Sequence, residues 1–234
     1  MLSMSTISKI FTVENILLGL TIPIIGIAIY MIFMWVPTEQ NLGISQRIFY
    51  IHVPSAWTAL LSVVIVAIGS LVYLINNNEK WDSLAYSAGE IGVILASLTL
   101  LSGIIWAKPI WGVWWTWDAR LTTTLILWFI LIAYLMLRSY APTGTQGKRF
   151  GAILGVLALI DAPIVYYSTV WWRTAHPGMN VGPLAESATL DSQMYIALMV
   201  SVVGFTLLFV YMLKERYNMK QDEKEIDRLF TYYG

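Results

Sequence analysis

Six long apolar stretches divide the chain: Ile16 to Val36, Ser55 to Ile75, Leu84 to Ile105, Leu121 to Leu137, Phe150 to Ser168 and Met194 to Leu213. A helix needs about 20 apolar residues to cross the hydrocarbon of a bilayer, so each stretch predicts a membrane-spanning helix. The short polar connections leave no room for a second soluble domain, and no fixed-period repeat is visible. The expected fold class is all-α: a polytopic membrane protein with six transmembrane helices and an external tryptophan-rich loop. Residues 1–234 then form one membrane domain, with the loop at 106–122 and a charged tail at 214–234.

Composition agrees with that pattern, because hydrophobic residues make up 58% of the chain and charged residues only 12%, far from the balance of a soluble domain. The first apolar run is longer than the ~7–15 residues of a signal-peptide core, and no small-x-small cleavage site follows Trp35 and Val36. The first helix is therefore expected to stay in place. Cysteine is absent, which excludes disulfides and thiol redox chemistry within the chain. Net charge is zero and gives no sign of nucleic-acid binding.

The cations set the expected orientation. With six spans both termini share a side, and that side collects ten of the fourteen Lys and Arg residues: Lys9, Lys80, Arg138, Lys148, Arg149, Lys214, Arg216, Lys220, Lys224 and Arg228. The other side holds Arg47, Lys108, Arg120 and Arg173. Since Lys and Arg are retained on the inner face during insertion, both termini are expected in the cytoplasm and loops 37–54, 106–120 and 169–193 outside.

This topology gathers the unusual chemistry on the outer face. Trp35, Trp57, Trp106, Trp111, Trp114, Trp115, Trp117, Trp171 and Trp172 lie at or beyond that boundary, against Trp81 alone near the inner one and Trp128 within a span. An aromatic belt would populate both interfaces, so the asymmetry favours a specific aromatic surface. If the segment after Pro109 is helical, as proline at a first helical position allows, then Trp111, Trp114, Trp115 and Asp118 share one face. The only two histidines, His52 before the second span and His176 after the fifth, flank this loop on the same side. Two imidazoles approaching from opposite faces suit the axial positions of haem iron, and tryptophan planes suit the walls of a porphyrin pocket. Arg47, Arg120 and Arg173 are placed to meet its propionates.

RIFYIHVPSAW at 47–57, WGVWWTWDARLT at 111–122 and YYSTVWWRTAHPG at 166–178 resemble the haem-handling membrane proteins of cytochrome c biogenesis that share a tryptophan-rich WWD signature. Length, span count and one histidine on each side of the signature are most similar to the cytochrome c maturation protein C family. The resemblance covers almost the whole chain. It implies a haem-presenting protein of the bacterial inner membrane, not an enzyme, that holds haem b at the outer face and delivers it to a periplasmic haem chaperone. It further implies His52 and His176 as axial iron ligands, and Trp111, Trp114, Trp115, Trp117, Asp118 and Arg120 as the haem platform. A small single-span membrane subunit and the subunits of an ATP-binding-cassette (ABC) transporter are the implied partners, beside membrane lipids.

Two acids inside spans, Glu90 and Asp161, are candidates for function because buried carboxylates in a bilayer are costly. Asp161 also has an ordinary reading, as a protonated group or a partner for backbone disturbed by Pro163. The tail interleaves both charge signs, as a solvated cytoplasmic helix does. A transmembrane haem transporter and a b-type electron-transfer protein are the competing classes. The second requires histidines within spans, whereas these lie at the outer edge; the first would show polar residues near the midplane, for which Asp161 and Pro163 are a weak hint.

Overall fold

A computed structural model describes residues 12–140, 145–172, 176 and 190–233. Six helices alternate in direction: α1 (Val13–Tyr30), α2 (Phe49–Asn76), α3 (Glu79–Trp111), α4 (Ala119–Tyr140), α5 (Thr145–Trp171) and α6 (Ser192–Tyr233). Each contains or adjoins a segment long and apolar enough to cross a membrane. The described residues contain no strand, only an isolated bridge between Glu39 and Gly43. All six predicted spans are present; α2 to α6 are each longer than their apolar stretch, whereas α1, with 18 residues, needs the turn that follows it to match its own.

The extra length comes from local capping. Thr12 accepts a bond from the Asn15 amide at the start of α1, and Asn78 accepts one from Lys80 at the start of α3; short oxygen-bearing side chains satisfy amides that have no partner within the helix. Asn77, with φ 53°, closes α2 in the left-handed conformation, so α2 and α3 join through two residues. Asp191 accepts the Gln193 amide at the head of α6.

At one end α1 widens into a π turn, Met31–Trp35, and a 3-10 turn, Ile44–Ile48, leads into α2. These turns pack with Phe49, Tyr50, Trp106, Met194 and Leu198 into one apolar cluster. We call this the histidine end; the connections α2–α3 and α4–α5, and the close of α6, mark the far end. Helix α2 is the centre of the bundle, packed against α3, α5 and α6, while α4 spans α3 and α5 and α1 rests mainly on α6. The α2–α3 contact is made by small buried residues, Ser55, Thr58, Ala59 and Ser62 against Ala88, Gly92, Ala96 and Thr99. Such residues let backbones approach closely where lipid supplies no hydrophobic drive between helices.

The charged tail is the direct continuation of α6, and it is tied back to the bundle. Arg216 donates to Glu90 at 2.6 and 3.2 Å and to Glu223 at 2.8 Å. Lys224 and Lys148 both meet Glu79, at 2.9 and 2.7 Å. Glu90 is thus one half of a forked ion pair.

Candidate functional site

His52 sits in the first turns of α2, not on the preceding loop as the sequence suggested. The helix begins earlier because the 3-10 turn hands its residues directly to α2, leaving Pro54 inside the helix, where its ring nitrogen has no proton to give the Tyr50 carbonyl. Ser102, on α3, lies with its Oγ 3.1 Å from His52 Nδ1. Beside it, Gly103 makes room for the ring: a Cβ there would lie 3.1 Å from His52 Cε1. Trp106, one turn further along α3, packs at 5.7 Å between ring centres.

His176 lies close by. Its ring centre lies 6.3 Å from that of His52, with the planes 37° apart. Two metal–nitrogen bonds of about 2 Å, with roughly 1.2 Å from each nitrogen to its ring centre, span a little over 6 Å. The separation therefore suits one metal ligated from both faces. Two imidazoles at this separation can serve a metal whose other positions are filled by a porphyrin.

Around the pair the helices part to form two adjoining cavities. The larger, about 520 Å³, is lined by Phe49, Trp57, Trp106, Arg120 and Tyr166 as well as by both histidines. The smaller, about 80 Å³, shares His52, His176 and Arg120 and adds Trp111 and Trp115. Volumes of ~300–1,000 Å³ with mostly apolar walls and a few polar groups are usual for cofactor-sized ligands. The indole nitrogens of Trp106 and Trp115 are buried without a hydrogen-bond partner, unusual for groups that normally find one.

The tryptophan loop does not form the expected helical plate. Helix α3 runs through Pro109 and stops at Gly112, whose φ of +73° is the left-handed C-cap conformation that glycine adopts without strain. Residues 113–118 are irregular. In consequence the tryptophans divide. Trp111 and Trp115 line the smaller cavity, while Trp114 and Trp117 are 56% and 77% exposed. Trp115 and Trp117 meet edge to face at 5.6 Å, and Lys108 lies over Trp114, 5.7 Å from its ring centre, while donating to the Gly112 carbonyl at 2.7 Å.

Asp118 serves the backbone. Its Oδ1 accepts the Leu121 amide at 3.2 Å and its Oδ2 the Thr116 hydroxyl at 2.8 Å, which caps α4 and fixes the loop. That cap places Arg120 two residues later, where its Nη1 donates to the Tyr166 carbonyl at 3.3 Å and its side chain lines both cavities. Arg47 stands apart from them, with its guanidinium over Phe33 at 5.7 Å, and so does not join Arg120 at the cavity. Arg173 lies outside the described residues. Trp57, Trp106, Tyr166 and Ser102 belong to the site although the motif reading did not select them. Trp57 stands five residues beyond His52, on a different face of the ideal helix, so helical register does not find it, and only packing brings Ser102 and Tyr166 in.

The profile of the family described as "Heme exporter protein C" matches residues 4–230. The chain belongs to this family. Among its relatives, "Heme exporter protein C" of Haemophilus influenzae is 32% identical over 88% of this chain and 84% of its own. The protein of the same description from Bradyrhizobium diazoefficiens is 34% identical over 81% and 72%. A ccmC-like mitochondrial protein of cytochrome c biosynthesis from Marchantia polymorpha is 31% identical over 88% of both chains. Family membership embraces every element described above, from α1 to the charged end of α6.

Asp161 is buried with Oδ2 unpartnered, yet it lines neither cavity of the histidine site.

Proposed function

We propose that this member of the heme exporter protein C family is a multi-pass protein of the bacterial inner membrane that handles haem for cytochrome c maturation. In this reading both termini are cytoplasmic, haem b is held at the periplasmic face, and it is passed to a periplasmic haem chaperone. The observation that carries it is the convergence of the only two histidines to 6.3 Å between ring centres, inside a tryptophan-lined cavity. His52 and His176 would ligate the iron, Trp111 and Trp115 would wall the porphyrin, and Arg120 would meet a propionate through its planar fork. Bound haem would supply iron redox chemistry, and His52 and His176 would be the residues that hold and moderate it.

The exposed Trp114 and Trp117 fit a surface that a partner covers, since aromatic residues are enriched where proteins meet. The chain's role here is to present its cargo rather than to catalyse. A small single-span subunit and ABC transporter subunits are its proposed companions. The family relationship and the six spans support this reading.

The test is the absorption spectrum of the purified protein loaded with haem b. Six-coordinate haem is expected, with the Soret band shifted or haem occupancy lowered in both His52→Gly and His176→Gly, and with added imidazole restoring the spectrum. Unchanged spectra in both variants remove the histidines as ligands. Orientation is checked separately by single cysteines in this cysteine-free chain. Asn180→Cys and Thr116→Cys should react with an impermeant maleimide from the periplasm, and Asn77→Cys only after the membrane is opened. The reverse pattern places the site in the cytoplasm.

A further inference from the structure

We propose that Ser102 is a positioning residue that fixes the tautomer and ring orientation of His52, so that Nε2 faces the cavity as the metal-binding nitrogen. The inference rests on the haem reading above and adds a residue to it. A serine hydroxyl has one proton and two acceptor sites. Here the proton is committed to the backbone, because Ser102 Oγ lies 2.6 Å from the Leu98 carbonyl oxygen and 3.1 Å from that of Thr99. Toward His52 the oxygen is left as an acceptor. The 3.1 Å contact with Nδ1 is then an Nδ1–H···Oγ bond, and a neutral imidazole protonated at Nδ1 carries its lone pair on Nε2.

Three further features hold the ring in this pose. Ser55 Oγ donates to the His52 carbonyl at 2.8 Å and lies 3.1 Å from Thr99 Oγ1, which is itself 2.8 Å from the Leu95 carbonyl oxygen, so polar contact ties the first turns of α2 to α3. Gly103 leaves the space that the ring fills, and Trp106 packs against it. Ser102 is itself 8% exposed, so water competes little for the bond. An acceptor on the outer nitrogen of a ligating histidine makes that ligand a stronger donor to its metal. The hydroxyl thus selects which nitrogen binds and how strongly it donates.

The experiment compares full-length wild type, Ser102→Ala and Ser102→Thr, each loaded with haem b in detergent, by absorption spectrum and by redox titration of the iron. Loss of the acceptor should weaken stabilisation of the ferric state. For Ser102→Ala we expect the ferric-to-ferrous preference to fall about threefold, a midpoint about 30 mV more positive at 59 mV per tenfold for one electron. Ser102→Thr, which keeps a hydroxyl on the same turn, should match wild type. A wild-type potential in Ser102→Ala, or equal shifts in Ala and Thr, overturns the role of Ser102. Failure of wild type to bind haem, or indifference of its spectrum to His52→Gly, instead overturns the haem reading itself.

Discussion

The two ends of the bundle solve opposite problems with the same six helices. At the far end the charged groups are paired across helices. Arg138 forks onto Asp82, with Nη2 to Oδ2 at 2.8 Å, and their side chains are 7% and 2% exposed. The guanidinium lies over Tyr86 and Tyr134, 5.4 and 5.9 Å from the ring centres. At the histidine end the helices part around two cavities that share both histidines, and Trp114 and Trp117 are exposed. The contrast is one of bonding: charge pairs pin α3, α4, α5 and α6 at the far end, whereas the other end holds an open, mostly apolar cavity.

Breaking the far end should cost most. Arg138→Leu leaves the buried Asp82 with only Lys224, 3.9 Å away, and loss of one member of a buried pair typically costs about 3–5 kcal/mol. Thermal unfolding in detergent should show the drop, with Asp82→Asn added to Arg138→Leu recovering part of it. Loss of the haem spectrum at unchanged stability would mean that the two ends are not separable in this way.

Gly103→Ala sharpens the comparison from the other side. The new methyl would press on the His52 ring, and overpacking of this kind costs about 1–3 kcal/mol. Haem affinity should register that loss by spectroscopic titration, while global stability changes little because alanine is the better helix former by about 1 kcal/mol. A stability loss without any change in haem affinity would place Gly103 in the packing alone.

The tryptophans should differ by position. Trp115→Ala removes a cavity wall and should weaken haem retention by about 0.5–1.5 kcal/mol beyond the loss of buried area, whereas Trp114→Ala should leave retention intact and reduce capture by a chaperone. Equal effects on haem retention would show that the division between wall and surface does not matter. The smallest change is expected for Lys148→Ala, which removes a half-exposed pair with Glu79. Such pairs contribute about 0–1 kcal/mol and fade with salt, and unfolding at low and high ionic strength measures it.

How much of this was legible in the chain depends on how local each feature is. The six spans follow from runs of apolar residues, and the alternation of helix direction then places His52, His176 and the tryptophan loop at one end. Asp118 was visible as part of the motif, but its work as the cap of α4 was not, because the motif reading started a separate helix at Pro109 and carried it through Asp118, whereas Pro109 lies inside α3. Gly112 ends that helix instead. Glu90 was marked as a costly acid in a span, and its partner Arg216 lies far along the sequence, on the extension of α6.

The sequence by itself determined the number of spans, the presence of only two imidazoles and the aromatic character of one end, since hydrophobic length and residue type are properties of short segments. Tertiary structure decided the 6.3 Å approach of the histidines, the division of the tryptophans between wall and surface, the exclusion of Arg47 from the cavity and the contact of Ser102 with His52. Each depends on how separate helices pack and where a helix stops, and no single segment carries that information.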